Sequence, residues 1–561
     1  MKLINKQYIY LALTILVISL PNITLFLIGQ DSIVASNLKK IVFLIFSIAI
    51  IIIPLLFIKP KYYAFLSLLL SPLLLFEFYN IYTFKSSSSK EAVASLFLTN
   101  SYESSELIKS NLQYLFIFLL VVSILVLCMF KLKKTFVLKV KQKIVISIII
   151  ISIFSVLYVR DWYIVNTLEP NLTFKKKSLR AKDYFFIKVL KTFPYGDFNK
   201  IINVRKGIKK INNYKKTIQN FRYGAKKKDS VLTNETYILV IGETARSMSF
   251  SLNGYSRNTN PILSKTANII SYKDVKSAAN LTANSLPFIL TRATPKNIKP
   301  KYNEPAVLNA FKESGFKTYW ITNQDTGLNS VFAFYSRIAD YYKNIALSID
   351  IANYDGELLP ELDKILNDKT VKKKFIVIHT IGSHFRYNYR YPDNFEVFKP
   401  TLDKKLSITG NNIKLKNKIV NSYDNSITYT DYFLSEIIER LKNGNSISYM
   451  YYVSDHGENL YDDKNELLMH GYMKPTKYVV DVPLIVWYSN SYFKEYPLKV
   501  RNLKTNENAR ISSNYTFQTL LDMANITYKN EDLTRSFSNE KFDKKRIRQL
   551  LTPKENVIDL D

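Results

Sequence analysis

The chain has 561 residues, a formal net charge of +32 and a single cysteine. That length exceeds one typical domain, and one cysteine excludes a disulfide framework, so any folded domain must be held together by its core. The charge suits an anionic surface such as phospholipid or lipopolysaccharide.

Residues 1–165 read as a membrane domain. Five apolar stretches fall near Tyr8–Gly29, Ile41–Ile58, Tyr63–Phe84, Tyr114–Phe130 and Ile144–Ile164, and roughly 20 residues suffice to cross about 30 Å of hydrocarbon. The first exceeds the apolar core of a signal peptide and is followed by four more, so it reads as a span. The connection "KLKKTFVLKVKQK" carries Lys131, Lys133, Lys134, Lys139, Lys141 and Lys143 and marks the cytoplasmic side. With five spans, the N-terminus is then inside, residues 85–113 form a loop outside, and everything after about Ile164 is outside. Lys39 and Lys40 weigh mildly against this orientation without reversing it. An outside domain has no nucleic acid among its expected partners.

Residues 166–230 form a basic, aromatic linker. Lysines and arginines alternate there with Tyr184, Phe185, Phe186, Phe193, Tyr195 and Tyr214. That mixture suits either helices lying in the membrane interface or a solvated connection.

Residues 231–561 change pattern. The runs "YILVIGET", "KTYWITNQ", "KFIVIHT", "SYMYYVSDHGE" and "VPLIVWYS" are short, aromatic and β-branched, and they end in polar residues. Separated by helix-length segments, they predict an α/β domain with a largely parallel central sheet. Ligands of such sheets bind beyond the carboxyl ends of the strands.

All four histidines of the chain, His379, His384, His456 and His470, fall on or just after these strands. In "SDHGE" the adjacent Asp455 and His456 follow a strand, where a carboxylate and an imidazole suit Zn2+. Glu243, at the end of another run, would complete the fixed ligands and leave the metal Lewis-acidic. Thr244 follows Glu243 directly; on an extended segment the two side chains point to opposite faces, so Thr244 is expected to face elsewhere. "NSLP" reads as a helix start, with Ser285 a cap and Pro287 in the first turn. Thr282, just before it, would lie where free backbone N–H groups can hold a phosphate.

The segments "IGETARSMSFSLNGYSRNTNP", "SAANLTANSLPF", "VIHTIGSHF", "YVSDHGENL" and "LMHG" resemble the successive motifs of the membrane phosphoethanolamine transferases of Gram-negative bacteria. That family lies within the alkaline phosphatase and sulfatase superfamily and includes polymyxin-resistance enzymes. The resemblance implies a multi-pass inner-membrane protein with a periplasmic catalytic domain, acting as a monomer. It implies transfer of phosphoethanolamine from phosphatidylethanolamine to lipid A or the lipopolysaccharide core. By the same resemblance Thr282 is the nucleophile, Zn2+ is held by Glu243, Thr282, Asp455 and His456, and a second zinc can join during turnover. His384 and His470 correspond to phosphate-binding histidines that stabilise charge and protonate a leaving oxygen. His379, Glu458 and Asn323 are implied substrate or supporting contacts. In the outside loop, Thr99 and Glu103 are implied to bind the donor's ethanolamine headgroup, with Ser95 at a position where some members have asparagine.

The chain departs from the family in the nucleophile motif, where two cysteines are replaced by Ala278 and Phe288 and a Gly-Thr pair by Ala279 and Asn280. Packing of Phe288 is expected to replace part of the lost cystine clamp. A sulfatase would need an arginine where Ile289 stands. The competing readings are a phosphoglycerol transferase like the lipoteichoic acid synthases and a non-catalytic zinc-dependent envelope scaffold.

Overall fold

The computed structural model describes residues 6–28, 37–84, 87–88, 93, 112–168, 173–189, 192–229, 234–324, 331–346, 352–403, 413–462, 464, 466–472, 474–552 and 556–561. The chain forms two compact units, Met1–Lys206 and Gly207–Asp561. The division falls inside the helix Tyr195–Ile218, so the segment 166–230 is shared between the units.

The first unit is helical. Among the described residues, Val140–Thr167 is long and apolar enough to cross a membrane, and each of two bent helix pairs is a further candidate. Lys6–Ile18 meets Leu20–Ile28 at 54°, and Pro60–Leu69 meets Ser71–Tyr82 at 58°. Lys40–Leu56 and Phe116–Lys131 are shorter apolar helices. Among the described residues each of the five apolar stretches is largely helical, whereas one to three candidate spans meet the length and composition test. Leu11, Tyr63, Leu74, Val121 and Leu125 form the unit's core. Ile148, Ile151, Val156 and Val159 face outward, as a lipid surround would favour. The helix Phe174–Val189 exposes Phe174, Leu179 and Phe186 beside its lysines, the composition of an interfacial helix. Lys200 lies 3.2 Å from Asp197 and 3.5 Å from Glu77, tying the start of the helix Tyr195–Ile218 to the helix Ser71–Phe84.

The second unit is built on a seven-stranded sheet. Its strands are β1 (Glu235–Gly242), β2 (Ile269–Tyr272), β3 (Lys317–Thr322), β4 (Tyr341–Asn344), β5 (Lys373–His379), β6 (Ile447–Ser454) and β7 (Leu484–Tyr488). In space they run β2-β7-β6-β1-β5-β3-β4. The neighbours from β6 to β4 are parallel, and β7 is antiparallel to both β6 and β2. The expectation of a largely parallel sheet holds; the run "VPLIVWYS" forms the antiparallel member.

All eight residues of β1 are buried. Because side chains alternate along a strand, Tyr237, Leu239 and Ile241 join one core with Trp320, Tyr449 and Leu520. Ile238 and Val240 join the other with Tyr423, Ile427 and Trp487. Both faces of the sheet are thus covered, which leaves the strand ends as the place for polar chemistry.

Candidate active site

Four adjacent strand ends supply the site. Glu243 follows β1, Asp455 and His456 follow β6, His379 closes β5, and Asn323 with Gln324 follows β3. Thr282 is the first residue of the helix Thr282–Leu290. This corrects the expected start at "NSLP": the N-cap is Leu281, no side chain caps the helix, and Pro287 lies inside it. Pro287, the sixth helical residue, lacks the N–H that would bond the carbonyl of Ala283, so the earlier start comes with the loss of one intrahelical hydrogen bond. Thr282 consequently lies within the first turn, where N–H groups lack intrahelical acceptors.

The Thr282 hydroxyl lies 3.2 and 3.3 Å from the two carboxylate oxygens of Glu243 and 3.1 Å from Nε2 of His456. Nε2 of His456 is 3.6 Å from Glu243 and 3.2 Å from Oδ2 of Asp455. Ligand atoms of Glu243, Asp455 and His456 all fall within 4.8 Å of one another. Oδ1 of Asp455 accepts the backbone N–H of Thr244 at 3.0 Å and of His456 at 2.7 Å, while its buried Oδ2 has no hydrogen-bond partner.

Burial raises the Glu243 pKa, and the charge of Asp455 adds to the rise. Burial likewise pushes Asp455 up to about 6, and it lowers His456, helped by the charge of His470. Two buried carboxylates and an imidazole, with one carboxylate oxygen left over, are the donor set a divalent cation satisfies. These residues fit zinc.

Thr244 is a correction. It adopts φ 60°, a left-handed conformation that is costly for a β-branched residue. The segment is therefore a turn and not extended, so the Glu243 and Thr244 side chains do not diverge. The Thr244 hydroxyl donates to Oε1 of Glu243 at 2.7 Å and is fully buried. It braces the carboxylate.

The other histidines divide. His470 packs against His456 with ring centroids 4.0 Å apart and the ring planes tilted by 41°, and its Nδ1 is 3.1 Å from Oε1 of Glu458. Burial pulls its pKa down, but Glu458 and the nearby carboxylates prevail and raise it to about 9. His384 is pushed down to about 3 by burial and by the charges of Arg390 and His470. These surroundings favour the protonated form of His470 and the neutral form of His384. His379 packs edge-on against Trp320 at 6.1 Å, and burial lowers it to about 3. Thr99 and Glu103 lie outside the described residues.

Asn323 is buried and donates to Asp355 at 3.2 Å; its neighbour Gln324 is the one that reaches the site. Nδ2 is the donor in Asn323, whereas Nε2 of Gln324 donates to Oε2 of Glu243 and to the carbonyl of Thr380, each at 2.9 Å. Sequence reasoning missed Gln324, although it lies at the same strand end. Asp355 also accepts the backbone N–H groups of Ile381 at 2.8 Å and Gly382 at 2.9 Å, which shapes the turn beside Glu243.

Gly382 is required there. It has φ 50°, and a Cβ would lie 2.6 Å from the carbonyl oxygen of Glu243. Gly382→Ala is expected to cost about 1–3 kcal/mol of stability and to weaken metal binding by displacing Glu243. Thermal denaturation and metal titration check both effects.

The nucleophile loop is held without a cystine. Phe288 is 2% exposed and packs with Ala278, Ala279, Ala293 and Leu551. Leu551 belongs to a C-terminal strand pair, Gln549–Leu551 with Val557–Asp559, and its N–H donates to the carbonyl of Ala278 at 2.8 Å. Ser513 accepts the N–H of Ala278 at 3.0 Å. Phe288→Ala is expected to cost about 3–5 kcal/mol and to speed hydrogen exchange of residues 277–282, with Phe288→Leu costing less.

The chain is 32% identical over 337 residues to the phosphoethanolamine transferase EptC of Escherichia coli K12, which covers 58% of this chain and 57% of that one. It is 34% identical over 264 residues to the phosphoethanolamine transferase EptA of Helicobacter pylori, covering 46% and 48%. These alignments therefore take in only about half the length of the curated relatives. Among solved structures, the C-terminal periplasmic domain of E. coli EptC in complex with Zn matches with a TM-score of 0.54 and 29% identity, covering 60% of this chain and 94% of that one. Residues 235–526, which hold every described residue of the cluster above, match the Sulfatase family. The chain belongs to the sulfatase family.

Proposed function

We propose that this protein transfers phosphoethanolamine from phosphatidylethanolamine to lipid A or the lipopolysaccharide core, at the periplasmic face of the inner membrane, through Thr282. The supporting observation is the convergence of the Thr282 hydroxyl on Glu243 and His456 at 3.1–3.3 Å. The names of the relatives and the zinc of the EptC domain support the same reading.

Glu243, Asp455, His456 and the Thr282 hydroxyl would hold Zn2+, which as a Lewis acid lowers the pKa of a hydroxyl beside it. Thr282 gives its proton to solvent, and its oxygen bonds to the donor phosphorus as the phosphorus–oxygen bond to diacylglycerol breaks. His470, protonated beside Glu458, supplies the proton that the departing diacylglycerol oxygen takes up. A phosphoethanolamine ester on Thr282 remains. His384 donates a hydrogen bond to the phosphoryl oxygens as charge builds on them. The acceptor oxygen then attacks the phosphorus, its proton returns to His470, and the bond to Thr282 breaks. Glu243 stays aimed throughout because Thr244 and Gln324 hold one oxygen each.

The helices before the catalytic unit, with exposed Phe174, Leu179 and Phe186 among lysines, suit a protein that takes its donor from a bilayer. Five spans and a headgroup contact by Thr99 and Glu103 belong to this proposal. Mass spectrometry of lipopolysaccharide from cells with and without the protein tests it. Added phosphoethanolamine is the expected result; label arriving from phosphatidylglycerol and not from phosphatidylethanolamine would replace it with phosphoglycerol transfer.

A further inference from the structure

The helix that begins at Thr282 ends at Leu290, and the chain beyond it borders a second cavity. This cavity, of about 310 Å3, is lined by Lys296, Tyr515, Arg535, Arg546 and Arg548, and no carboxylate among the described residues lines it. The carboxylates that pair with its arginines stand outside the lining, so the space itself is electropositive and suits an anion.

Arg548 is already satisfied, at 2.6 Å from Asp274 and 2.7 Å from Asp561. Arg535 and Arg546 are held more loosely: the Nε atom of each is buried and ion-paired but makes no hydrogen bond. Asp532 is 3.2 Å from Nε of Arg535, and Asp543 is 3.9 Å from Nε of Arg546, both half-exposed and outside the lining. A terminal nitrogen of Arg546 donates to Thr534 at 2.5 Å and lies 4.0 Å from Asp532. Burial, then the charge of Arg546, lowers the Arg535 pKa, so these guanidiniums repel. Burial and the charge of Asp543 raise the phenol of Tyr515, which lines the same cavity, while the charges of Arg546, Arg535 and Arg548 oppose that rise.

We propose that this cavity is a binding site for a phosphate monoester, held by Arg535 and Arg546 with Lys296 at the rim. Guanidinium forks match phosphate oxygens in geometry and charge. The volume lies at the small end of ligand sites, about 300–1,000 Å3, with room for more than a bare phosphate. The cavity sits past the far end of the nucleophile helix, a length of about 14 Å for nine residues, so it is separate from the metal site. The strand Gln549–Leu551 runs from its wall to Ala278 on the nucleophile loop. If the transfer reading holds, the ligand is a phosphorylated sugar of the acceptor; only that last step rests on the proposed function.

The test is calorimetric titration of the full chain in detergent with glucose 1-phosphate, inorganic phosphate and glucose, with and without a zinc chelator. Chelator-insensitive binding of glucose 1-phosphate is expected, tighter than inorganic phosphate by at least about threefold and weakened at least about tenfold in Arg535→Gln/Arg546→Gln. Arg546→Lys, which keeps the charge and loses the fork, is expected to fall between and covers the case in which the double variant does not fold. No chelator-insensitive binding, binding unchanged by these substitutions, equal affinity for inorganic phosphate, or equal affinity for glucose would overturn the proposal. Because this experiment reads binding and the lipopolysaccharide analysis reads product, the two proposals fail separately.

Discussion

Thr282→Ala is expected to lower transfer by at least about 10³-fold while leaving the fold and the metal in place. The substitution removes the hydroxyl and one methyl group, and no other side chain in the cluster can form the phosphoester in its stead. Thr244 is excluded because it is fully buried and its hydroxyl is committed to Glu243 at 2.7 Å. Thr282 opens a helix with no side-chain cap, and alanine suits that position, so stability should change by less than about 1 kcal/mol. Thr282→Ser keeps the oxygen and should retain part of the rate. Steady-state kinetics with labelled phosphatidylethanolamine, beside metal analysis of each variant, separates loss of the nucleophile from loss of the site.

Asp455→Asn is expected to reverse the usual order of stabilities depending on metal. Oδ2 of Asp455 is buried, unpaired and 3.2 Å from Nε2 of His456. The raised pKa values of Glu243 and Asp455 reflect two buried carboxylates held against burial and against each other. Without metal, asparagine removes one of those charges and keeps Oδ1 as acceptor for Thr244 and His456, so the variant should be at least as stable as the parent. With zinc, the parent should gain about 4 kcal/mol at a concentration a thousand times its Kd, and the variant should gain little because its affinity falls by at least about 10²-fold. Thermal denaturation with zinc and with chelator reads all four states. A parent whose melting temperature ignores the chelator would remove the metal from the account.

Much of this site was legible in the sequence because its residues sit at strand ends. Five buried runs predicted the parallel sheet, and their last residues, Glu243, His379, Asp455 and His456, fall where such sheets place ligands. What was hidden depends on partners far along the chain. The left-handed turn at Thr244 has no local signal, since a β-branched residue disfavours it; its N–H is held by Asp455, 211 residues away. Gln324 is one residue beyond Asn323, and only the twist of β3 into its loop decides which amide reaches Glu243. Pro287 suggested a helix start, but a proline in the second turn of a helix reads the same as one in the first when viewed as a string. The loss of the cystine pointed to Phe288, which is buried as expected; the second support, the strand at Leu551, comes from the far end of the chain.

Intact-mass and peptide mapping of the protein after a brief exposure to phosphatidylethanolamine without acceptor tests the central claim most directly. The account predicts one added phosphoethanolamine, located on Thr282 and discharged when acceptor is supplied. Label on Thr244, or steady transfer with no covalent adduct at any time point, would contradict it.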